Sequence, residues 1–246
     1  PETSYLIVHT GSRGLGGAIC KYHNEIIYSG TRKDWDGYMR ASKDMMRKIK
    51  GRAERAAADT QLREQYLSPK HATYLEGSEA YVYYFDMIFA QAYAKYNRYF
   101  MIQRALDAMG LAYEEDNLVE CTHNYIDFGD MIWRKGAIKA NKDELILIAL
   151  NMRDGVLIAK GKGNPEWNYS APHGAGRRVP RNEARNHSTL KEFKELMKDV
   201  CSHTVNADTL DESPVMYKDA DLIKLRAAET CEVIAQLRPL INIKGA

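Results

Sequence analysis

Residues 118–161 read LVECTHNYIDFGDMIWRKGAIKANKDELILIALNMRDGVLIAKG, and this stretch decides the fold class. Several short runs rich in Val, Ile, Leu, Tyr and Trp are separated by Gly, Asn and Asp, which is the pattern of strands joined by turns. The run at 145–150, LILIAL, is the longest apolar run in the chain and is far too short to span a membrane. The segment therefore predicts short β-strands and no membrane partner.

Helical patterns flank these strands on both sides. Residues 79–109 carry apolar residues at helical spacing and are followed by Gly110, a natural residue after a helix end, so they predict the clearest helix. Further helices are predicted at 18–28, 40–65, 188–201 and 220–237, and further strands at 5–8 and 240–245. The sequence thus predicts an α+β fold, with mixed sheets and packed helices, in a single domain over residues 1–246.

Composition excludes several classes of protein. The 35 Lys and Arg residues nearly balance the 33 Asp and Glu residues, so any nucleic-acid surface must be a local basic patch. The four cysteines are far apart and form no CxxC pair, which argues against a disulfide framework or a zinc ribbon. Such cysteine usage fits a reducing compartment, and we expect a cytoplasmic protein.

His9 follows the predicted strand at 5–8 and opens the glycine-rich stretch HTGSRGLGG. A neutral imidazole held at a strand end is a good transition-metal ligand. The glycines let backbone N–H groups approach an anion, and Arg13 adds a forked cation that suits phosphate. A core histidine beside a tight turn explains the same pattern equally well.

His123 lies in CTHNY, inside a predicted strand. Side chains alternate along a strand, so Cys121, His123 and Tyr125 share one face. Cys121 and His123 could both face a metal, or both could belong to an ordinary core. The local pattern alone favours the core.

His173 lies in NYSAPHGAGRRVPR, residues 168–181, and has the strongest local signal. Pro172 fixes the entry angle of the chain, and the glycines after His173 leave room for a bulky partner. Arg177, Arg178 and Arg181 bring positive charge within a few residues. A nucleophilic histidine that attacks a phosphate would have these surroundings. The alternative is a surface arginine loop that happens to contain a histidine.

These motifs together resemble the RtcB family of RNA ligases over nearly the whole chain. The matching segments, in the family's order, are HTGSRGLG at 9–16, EGSEA at 76–80, NR at 97–98, CTHNY at 121–125, RKGA at 134–137, SAPHGAGR at 170–177, DESPVMYKD at 211–219 and IKG at 243–245. No single segment is specific, but the combination is highly specific. The resemblance implies an RtcB-like fold.

The resemblance also implies a mechanism. His173 would attack GTP and become guanylylated, and the GMP would pass to an RNA 3′-phosphate, which forms by opening of a 2′,3′-cyclic phosphate where needed. A 5′-hydroxyl would then displace the GMP and seal the strand, as in tRNA splicing or RNA repair. Two manganese ions would assist. The implied cofactors are therefore Mn2+ and GTP, and the implied partner is RNA with these ends.

Residue roles follow from the same resemblance. His9 and His123 match metal ligands, and Arg13 and Arg181 match positions near a bound anion. The positions that match nucleotide contacts are Ser170, His173, Gly174, Ala175, Gly176, Arg177, Tyr217 and Lys244. Tyr217 and Lys244 would form the guanine pocket. We expect a monomer, and whether a helper protein takes part is left open.

The sequence departs from the family pattern in three places. The family's D-x-G-x-C and G-N-H-F ligand motifs lie upstream of the HTGSRG strand, and this sequence starts too late to contain them. His9 and His123 alone are an incomplete ligand set, so we expect this fragment to bind metal weakly and not to ligate. The segment 150–155, LNMRDG, replaces a P-G-S-M-G loop, and Pro180 stands where many members have Ser.

Two other functions remain open from the residues. One is a metal-dependent RNA phosphatase or nuclease that uses His9 and His123 without GTP. The other is an RNA-binding module without catalysis, in which the arginines of residues 177–181 bind RNA phosphates. The first leaves Tyr217, Lys244 and the HGAGR segment without a role.

Overall fold

The computed structural model describes residues 3–30, 34–67 and 74–245. The chain divides into two compact units, Pro1–Tyr113 and Glu114–Ala246, and each is described by itself. In the described residues the first unit is helical, whereas the second combines short strands with short helices. The predicted α+β class is therefore confirmed. The single domain over residues 1–246 stays a prediction.

Helices make up the regular structure of the described part of the first unit. They are α1 (Arg13–Gly30), α2 (Trp35–Lys48), α3 (Arg52–Tyr66) and α4 (Gly77–Ala108). The helix predicted at 79–109 is confirmed by α4, and the one predicted at 18–28 is confirmed and begins earlier. The single helix predicted over 40–65 is wrong. Ile49 and Gly51 have extended backbones between α2 and α3, and Tyr38 of α2 donates a 2.7 Å hydrogen bond to Asp59 of α3.

The strand predicted at 5–8 is also wrong. The described residues 3–11 adopt no strand, and the side chains of Tyr5, Leu6 and Ile7 are exposed. An apolar run becomes a strand only where a partner strand satisfies its backbone N–H and C=O groups. His9 therefore lies on an exposed segment and does not end a buried strand.

Three small antiparallel sheets form the second unit. Their strands are β1 (Tyr125–Asp127), β2 (Ile132–Arg134), β3 (Ala137–Lys139), β4 (Leu145–Ala149), β5 (Val156–Gly161), β6 (Ser170–Pro172) and β7 (Cys231–Leu237). β1 pairs with β2, β3 pairs with β6, and β4, β5 and β7 form a three-stranded sheet with β5 at its centre. Parallel pairing occurs in the described residues only at two isolated bridges, Ala149 with Gly174 and Cys201 with Ile241.

Short helices complete the second unit: α5 (Ala184–His187), α6 (Leu190–Leu196) and α7 (Ala220–Ala227). The helix predicted at 188–201 is confirmed but shorter, and Thr189 caps it in a reciprocal pair with Glu192. The helix predicted over 220–237 is wrong in its second half, because β7 pairs with β5 there. The strand predicted at 240–245 shrinks to the bridge at Ile241.

The main core of the second unit is formed by residues of the three-stranded sheet, of β3 and β6, and of α7. Ile146 and Ile148 of β4 are almost fully buried, and their neighbours along the strand are less so, as alternation requires. Leu157, Ala171 and Ala175 belong to the same cluster. Since Ala171 lies before His173 and Ala175 lies after it within HGAGR, the core anchors the chain on both sides of His173.

The segment 150–155, which replaces the family's P-G-S-M-G loop, is the hairpin turn between β4 and β5. Leu150 N donates to Gly155 O at 2.8 Å, and Gly155 N donates to Asn151 O at 2.9 Å. The Asn151 side chain accepts from the backbone N–H groups of Arg153 and Asp154. These contacts give the segment a structural role in joining the strands.

Gly155 cannot be replaced by alanine without strain. Its φ is +78°, and an added Cβ would lie 1.9 Å from the carbonyl oxygen of Leu237. We expect Gly155→Ala to lower the free energy of unfolding by about 1–3 kcal/mol, measured by urea titration followed by circular dichroism. The control is Gly129→Ala, whose added methyl would meet only the Asp127 carboxylate, at 3.2 Å. Equal midpoints for the two variants would contradict the strained turn.

Candidate functional site

His173 follows β6 and is fastened to the fold through its backbone on two sides. β6 pairs with β3 in the register Ala137 to Pro172, which brings His173 beside Gly136. On the other side, Ala149 N donates to His173 O at 3.0 Å and Ala175 N donates to Ala149 O at 2.8 Å. The end of β4 therefore holds the residues on either side of Gly174.

Gly174 is the residue that permits this close approach. An added Cβ would lie 2.6 Å from the carbonyl oxygen of Ala149. A larger residue would push the segment away from the end of β4 and would displace His173 with it. Close packing against Ala149 thus explains why the first residue after His173 is glycine, independently of any ligand.

The ring of His173 has a fixed orientation. Its Nδ1 lies 2.7 Å from the carbonyl oxygen of Gly136. A carbonyl oxygen only accepts, so Nδ1 carries the hydrogen and donates it. In the neutral ring the lone pair is then on Nε2, which is the atom that can attack an electrophile.

Asn124 positions the carbonyl that holds His173. The side-chain oxygen of Asn124 accepts from Gly136 N at 2.7 Å. Gly136 has a φ of +68°, and Asn124 itself has a φ of +58°, which asparagine tolerates better than most residues. The HNY and RKGA segments are therefore linked to the histidine of HGAGR through a short chain of hydrogen bonds.

His123 lies against His173. The centroids of the two rings are 4.4 Å apart and the rings are tilted by 33°. Both side chains are half-buried. The predicted ligand His123 and the predicted nucleophile His173 are thus brought together, although they are far apart in the sequence.

A buried arginine supports the strand that leads to His173. The side chain of Arg134 is 1% exposed and forms ion pairs with Asp127 at 3.2 Å and Asp130 at 3.1 Å. Its Nε donates to Ser170 Oγ at 2.9 Å, and Ser170 Oγ donates to Asn168 O at 2.7 Å. The hydroxyl of Ser170 is therefore engaged by protein partners, and its predicted contact with a nucleotide stays a prediction.

A second cluster lies where the HGAGR segment meets the DESPVMYKD segment. Arg177 and Tyr217 form an antiparallel bridge, and Lys218 N donates to Gly176 O at 3.1 Å. The guanidinium of Arg177 lies 5.2 Å from the ring centroid of Tyr217 and donates to the carbonyl of Asp211. The cation lies over the face of the tyrosine ring, which is a favourable cation–π contact.

Glu212 is the centre of this second cluster. Its carboxylate accepts a 2.5 Å hydrogen bond from Tyr217 Oη and forms ion pairs with Arg181 at 2.9 Å and Lys244 at 3.1 Å. Burial raises the pKa of Glu212, but the hydrogen bond from Tyr217 and the attraction of Lys244 and Arg181 outweigh it, so the pKa lies below its ordinary value. Burial and the Glu212 carboxylate together raise the pKa of Tyr217, which stays protonated.

The structure thus gathers four predicted nucleotide or anion residues around one carboxylate: Arg177, Arg181, Tyr217 and Lys244. Glu212 was not predicted as a site residue, although it lies five residues before Tyr217 in a segment that carries the resemblance. Asn124, Gly136 and Arg134 were also missed as positioning residues. All lie in motif segments, so the signal was present, but their partners come from distant parts of the chain.

The remaining predicted residues belong to the first unit. Arg13 begins α1 and is exposed, and His9 is exposed on the segment before it. That segment is held by the NR pair of α4, because Asn97 donates to Gly11 O at 3.0 Å and Arg98 donates to Thr10 O at 3.2 Å. Two of the segments that carry the resemblance, HTGSRGLG and NR, are therefore in contact within this unit.

Metal binding by His9 and His123 stays a prediction. Among residues 3–30, 34–67 and 74–245, no group of three or more His, Cys, Asp or Glu side chains comes together in a way that could hold a metal ion. Two imidazoles are fewer than the ligands that protein sites for transition metals ordinarily supply.

An α+β protein with an oriented histidine, and with a cluster of cations around a buried carboxylate, is the class that this fold and site define. Residues 2–245 match the family model described as tRNA-splicing ligase RtcB, so the chain belongs to this family. The resemblance seen in the sequence is thereby confirmed. In the described part of the chain, no helix has the length and apolar character needed to cross a bilayer.

Two relatives show how far the similarity extends. The RNA-splicing ligase RtcB of Escherichia coli strain K12 is 28% identical over 260 aligned residues, which cover 98% of this chain and 56% of that protein. The tRNA-splicing ligase RtcB of Aeropyrum pernix is 30% identical over 138 residues, 47% of this chain and 28% of that protein. The chain spans about half the length of the Escherichia coli relative.

The acidic partners of Arg134 make stability depend on pH. The pKa values of Asp127 and Asp130 are lowered, since hydrogen bonds and ion pairs with Lys139 and Arg134 outweigh the opposing effect of burial. A lowered folded pKa contributes stability above the unfolded value, about 3.9, and that stability is lost as the pH falls further. We expect Asp130→Asn to be less stable than the parent at pH 7, with the gap narrowing below about pH 4.

Urea titrations at pH 7, 5 and 3 measure this effect. The matched control is Asp208→Asn, at an exposed position of the same unit. A gap between Asp130→Asn and the parent that stays constant from pH 7 to pH 3 would argue against the ion pair as its cause.

Proposed function

We propose that the protein is an RNA ligase that joins an RNA 3′-phosphate, or a 2′,3′-cyclic phosphate, to a 5′-hydroxyl through a histidine-linked GMP. The single observation that carries the proposal is the bond from Nδ1 of His173 to Gly136 O, which leaves Nε2 as the nucleophilic atom. Membership of the tRNA-splicing ligase RtcB family and the names of the relatives support the reaction class.

The proposed chemistry proceeds in three displacements, and a 2′,3′-cyclic phosphate is first opened by water to a 3′-phosphate and a free 2′-hydroxyl. Nε2 of His173 attacks the α-phosphorus of GTP, a phosphorus–nitrogen bond forms, and pyrophosphate leaves. An oxygen of the RNA 3′-phosphate then attacks the same phosphorus and His173 is released. Finally the RNA 5′-hydroxyl attacks the activated 3′-phosphate, loses its proton, and GMP leaves.

The surrounding residues have supporting roles in this scheme. Gly136 O accepts the Nδ1 hydrogen throughout, so the ring stays oriented and the positive charge that develops on attack is stabilised by an oxygen dipole. Tyr217 and Lys244 are the proposed guanine contacts. The side chain of Arg181 is 68% exposed, and its guanidinium is the proposed contact for an RNA or nucleotide phosphate.

Mn2+ is part of the proposal as a cofactor. When bound, divalent cations would neutralise phosphate charge, and His9 and His123 are the proposed ligands. The described residues contain no group of three or more possible metal ligands, so the steps above rest on the protein side chains and the substrates alone. The free cysteines support a reducing, cytoplasmic location.

Covalent labelling tests the proposal. The encoded full-length protein, incubated with α-32P-GTP and Mn2+, is expected to retain label after denaturation, and His173→Ala is expected to retain none, because the nucleophile is gone. His203→Ala, at an exposed histidine of the same unit, is the matched control and should label like the parent.

The RNA product distinguishes the alternatives. A substrate with 3′-phosphate and 5′-hydroxyl ends should be sealed only by proteins that label. Loss of the 3′-phosphate without sealing and without label would favour the phosphatase or nuclease. Salt-dependent RNA binding that survives His173→Ala, with no chemistry, would favour the binding module.

A further inference from the structure

Glu212 uses both carboxylate oxygens to hold residues of the proposed nucleotide site. Oε2 accepts from Tyr217 Oη at 2.5 Å and lies 3.1 Å from Lys244 Nζ. Oε1 lies 2.9 Å from Arg181 Nη2 and 3.6 Å from Arg177 Nη1. Glu212 is 8% exposed. Because its oxygens are already occupied and it is buried, its effect on a ligand is indirect.

The carboxylate fixes the direction of the hydrogen bond at Tyr217. An ionised carboxylate only accepts, so the single hydroxyl hydrogen of Tyr217 points at Glu212. Toward any other group the hydroxyl oxygen can then only accept. Arg177 Nη1 donates to the same oxygen at 3.4 Å, as expected if that oxygen is an acceptor.

Lys244 has the opposite polarity. Its ammonium carries only donors, and Glu212 holds it near Tyr217 through the shared oxygen Oε2. The cluster therefore offers one fixed acceptor, the Tyr217 hydroxyl oxygen, and one fixed donor, the Lys244 ammonium. The direction of the Tyr217 hydrogen bond and the position of the Lys244 ammonium both depend on a single buried carboxylate.

Guanine and adenine differ in the hydrogen-bond donors and acceptors that they present. Guanine presents acceptors at O6 and N7 and a donor at its N2 amino group, whereas adenine carries an amino donor where guanine has O6. A fixed ammonium donor favours O6 and is mismatched with the adenine amino group. When the wrong base binds, the polar groups of such a site lose their hydrogen-bond partners. The free energy lost in this way makes the site reject that base strongly.

We propose that Glu212 is a positioning residue that sets the preference of the nucleotide site for guanine over adenine, by fixing Tyr217 as an acceptor and by holding the Lys244 donor in place. This inference rests on the proposed function, in which the nucleotide is transferred to His173. Glu212 touches neither the reacting phosphorus nor the base. It acts through the two side chains that it holds.

Glu212→Gln is the informative change. The amide keeps the size of the side chain but loses the charge that attracts Lys244, and its NH2 group can donate to Tyr217 and so release the hydroxyl hydrogen. We expect the preference for GTP over ATP, measured as the ratio of kcat/KM values for protein labelling, to fall by about tenfold or more, equivalent to one hydrogen bond of about 1.4 kcal/mol. The KM for GTP should rise more than the maximal labelling rate falls.

The controls separate this role from general stability. Glu195→Gln also removes an acid paired with a lysine, since Glu195 lies 2.7 Å from Lys198, but it is exposed on α6 and should keep the GTP-to-ATP ratio of the parent. Glu212→Asp keeps the charge and should recover part of the ratio. If Glu212→Gln does not give folded protein by circular dichroism, Tyr217→Phe makes the same measurement, because it removes the fixed acceptor while leaving Glu212 in place.

The outcomes are distinguishable. If the parent protein takes no label from GTP, the proposed function fails and this inference falls with it. If the parent labels with GTP, and Glu212→Gln or its substitute Tyr217→Phe keeps the GTP-to-ATP ratio of the parent, the role of Glu212 is overturned while the proposed function stands. A reduced ratio in Glu212→Gln beside an unchanged ratio in Glu195→Gln supports the inference.

Discussion

The hydrogen bond from Nδ1 of His173 to the carbonyl of Gly136 is the interaction on which the candidate site depends. A neutral imidazole has two tautomers, and a bond of 2.7 Å to a group that can only accept selects one of them. Much of the second unit serves to keep that carbonyl in place. The pairing of β3 with β6 sets the register, and Asn124 holds the N–H of Gly136.

The HGAGR segment is held at both ends by different physical means. At its first residue, backbone hydrogen bonds tie it to Gly136 and to the end of β4, next to the best-buried part of the core. At its arginine, an ion-pair cluster around Glu212 ties it to the DESPVMYKD segment. The first attachment lies beside the apolar core, whereas the second is electrostatic. We accordingly propose that the chemistry takes place at His173 and that the nucleotide is recognised near Glu212.

The sequence predicted those features that depend on local pattern. α4 has a long helical periodicity that ends at a glycine, and the hairpin of β4 and β5 has β-branched runs around a turn, so both were found. The segment 220–237 was predicted as one helix because its apolar residues suit either period, and pairing with β5 decides the second half. The strand at 5–8 was predicted from an apolar run, which has no partner strand among the described residues.

The candidate site was predictable in its motifs and not in its connections. His173, Arg177, Tyr217 and Lys244 were identified from the family resemblance, and the structure brings the last three together. Glu212 was missed, because nothing in the polar sequence around it indicates that its carboxylate is buried. Its partners come from segments as distant as Lys244, and only the folded chain shows that one acid serves all of them.

The position of the phosphorus–nitrogen bond in the guanylylated protein tests the central claim most directly. Correlation NMR between 31P and 15N, on full-length protein labelled at histidine nitrogens and treated with GTP and Mn2+, reports which ring nitrogen carries GMP. We expect the bond at Nε2 of His173, since Nδ1 is committed to Gly136 O. A bond at Nδ1 of His173, or at any other residue, would contradict the proposed geometry.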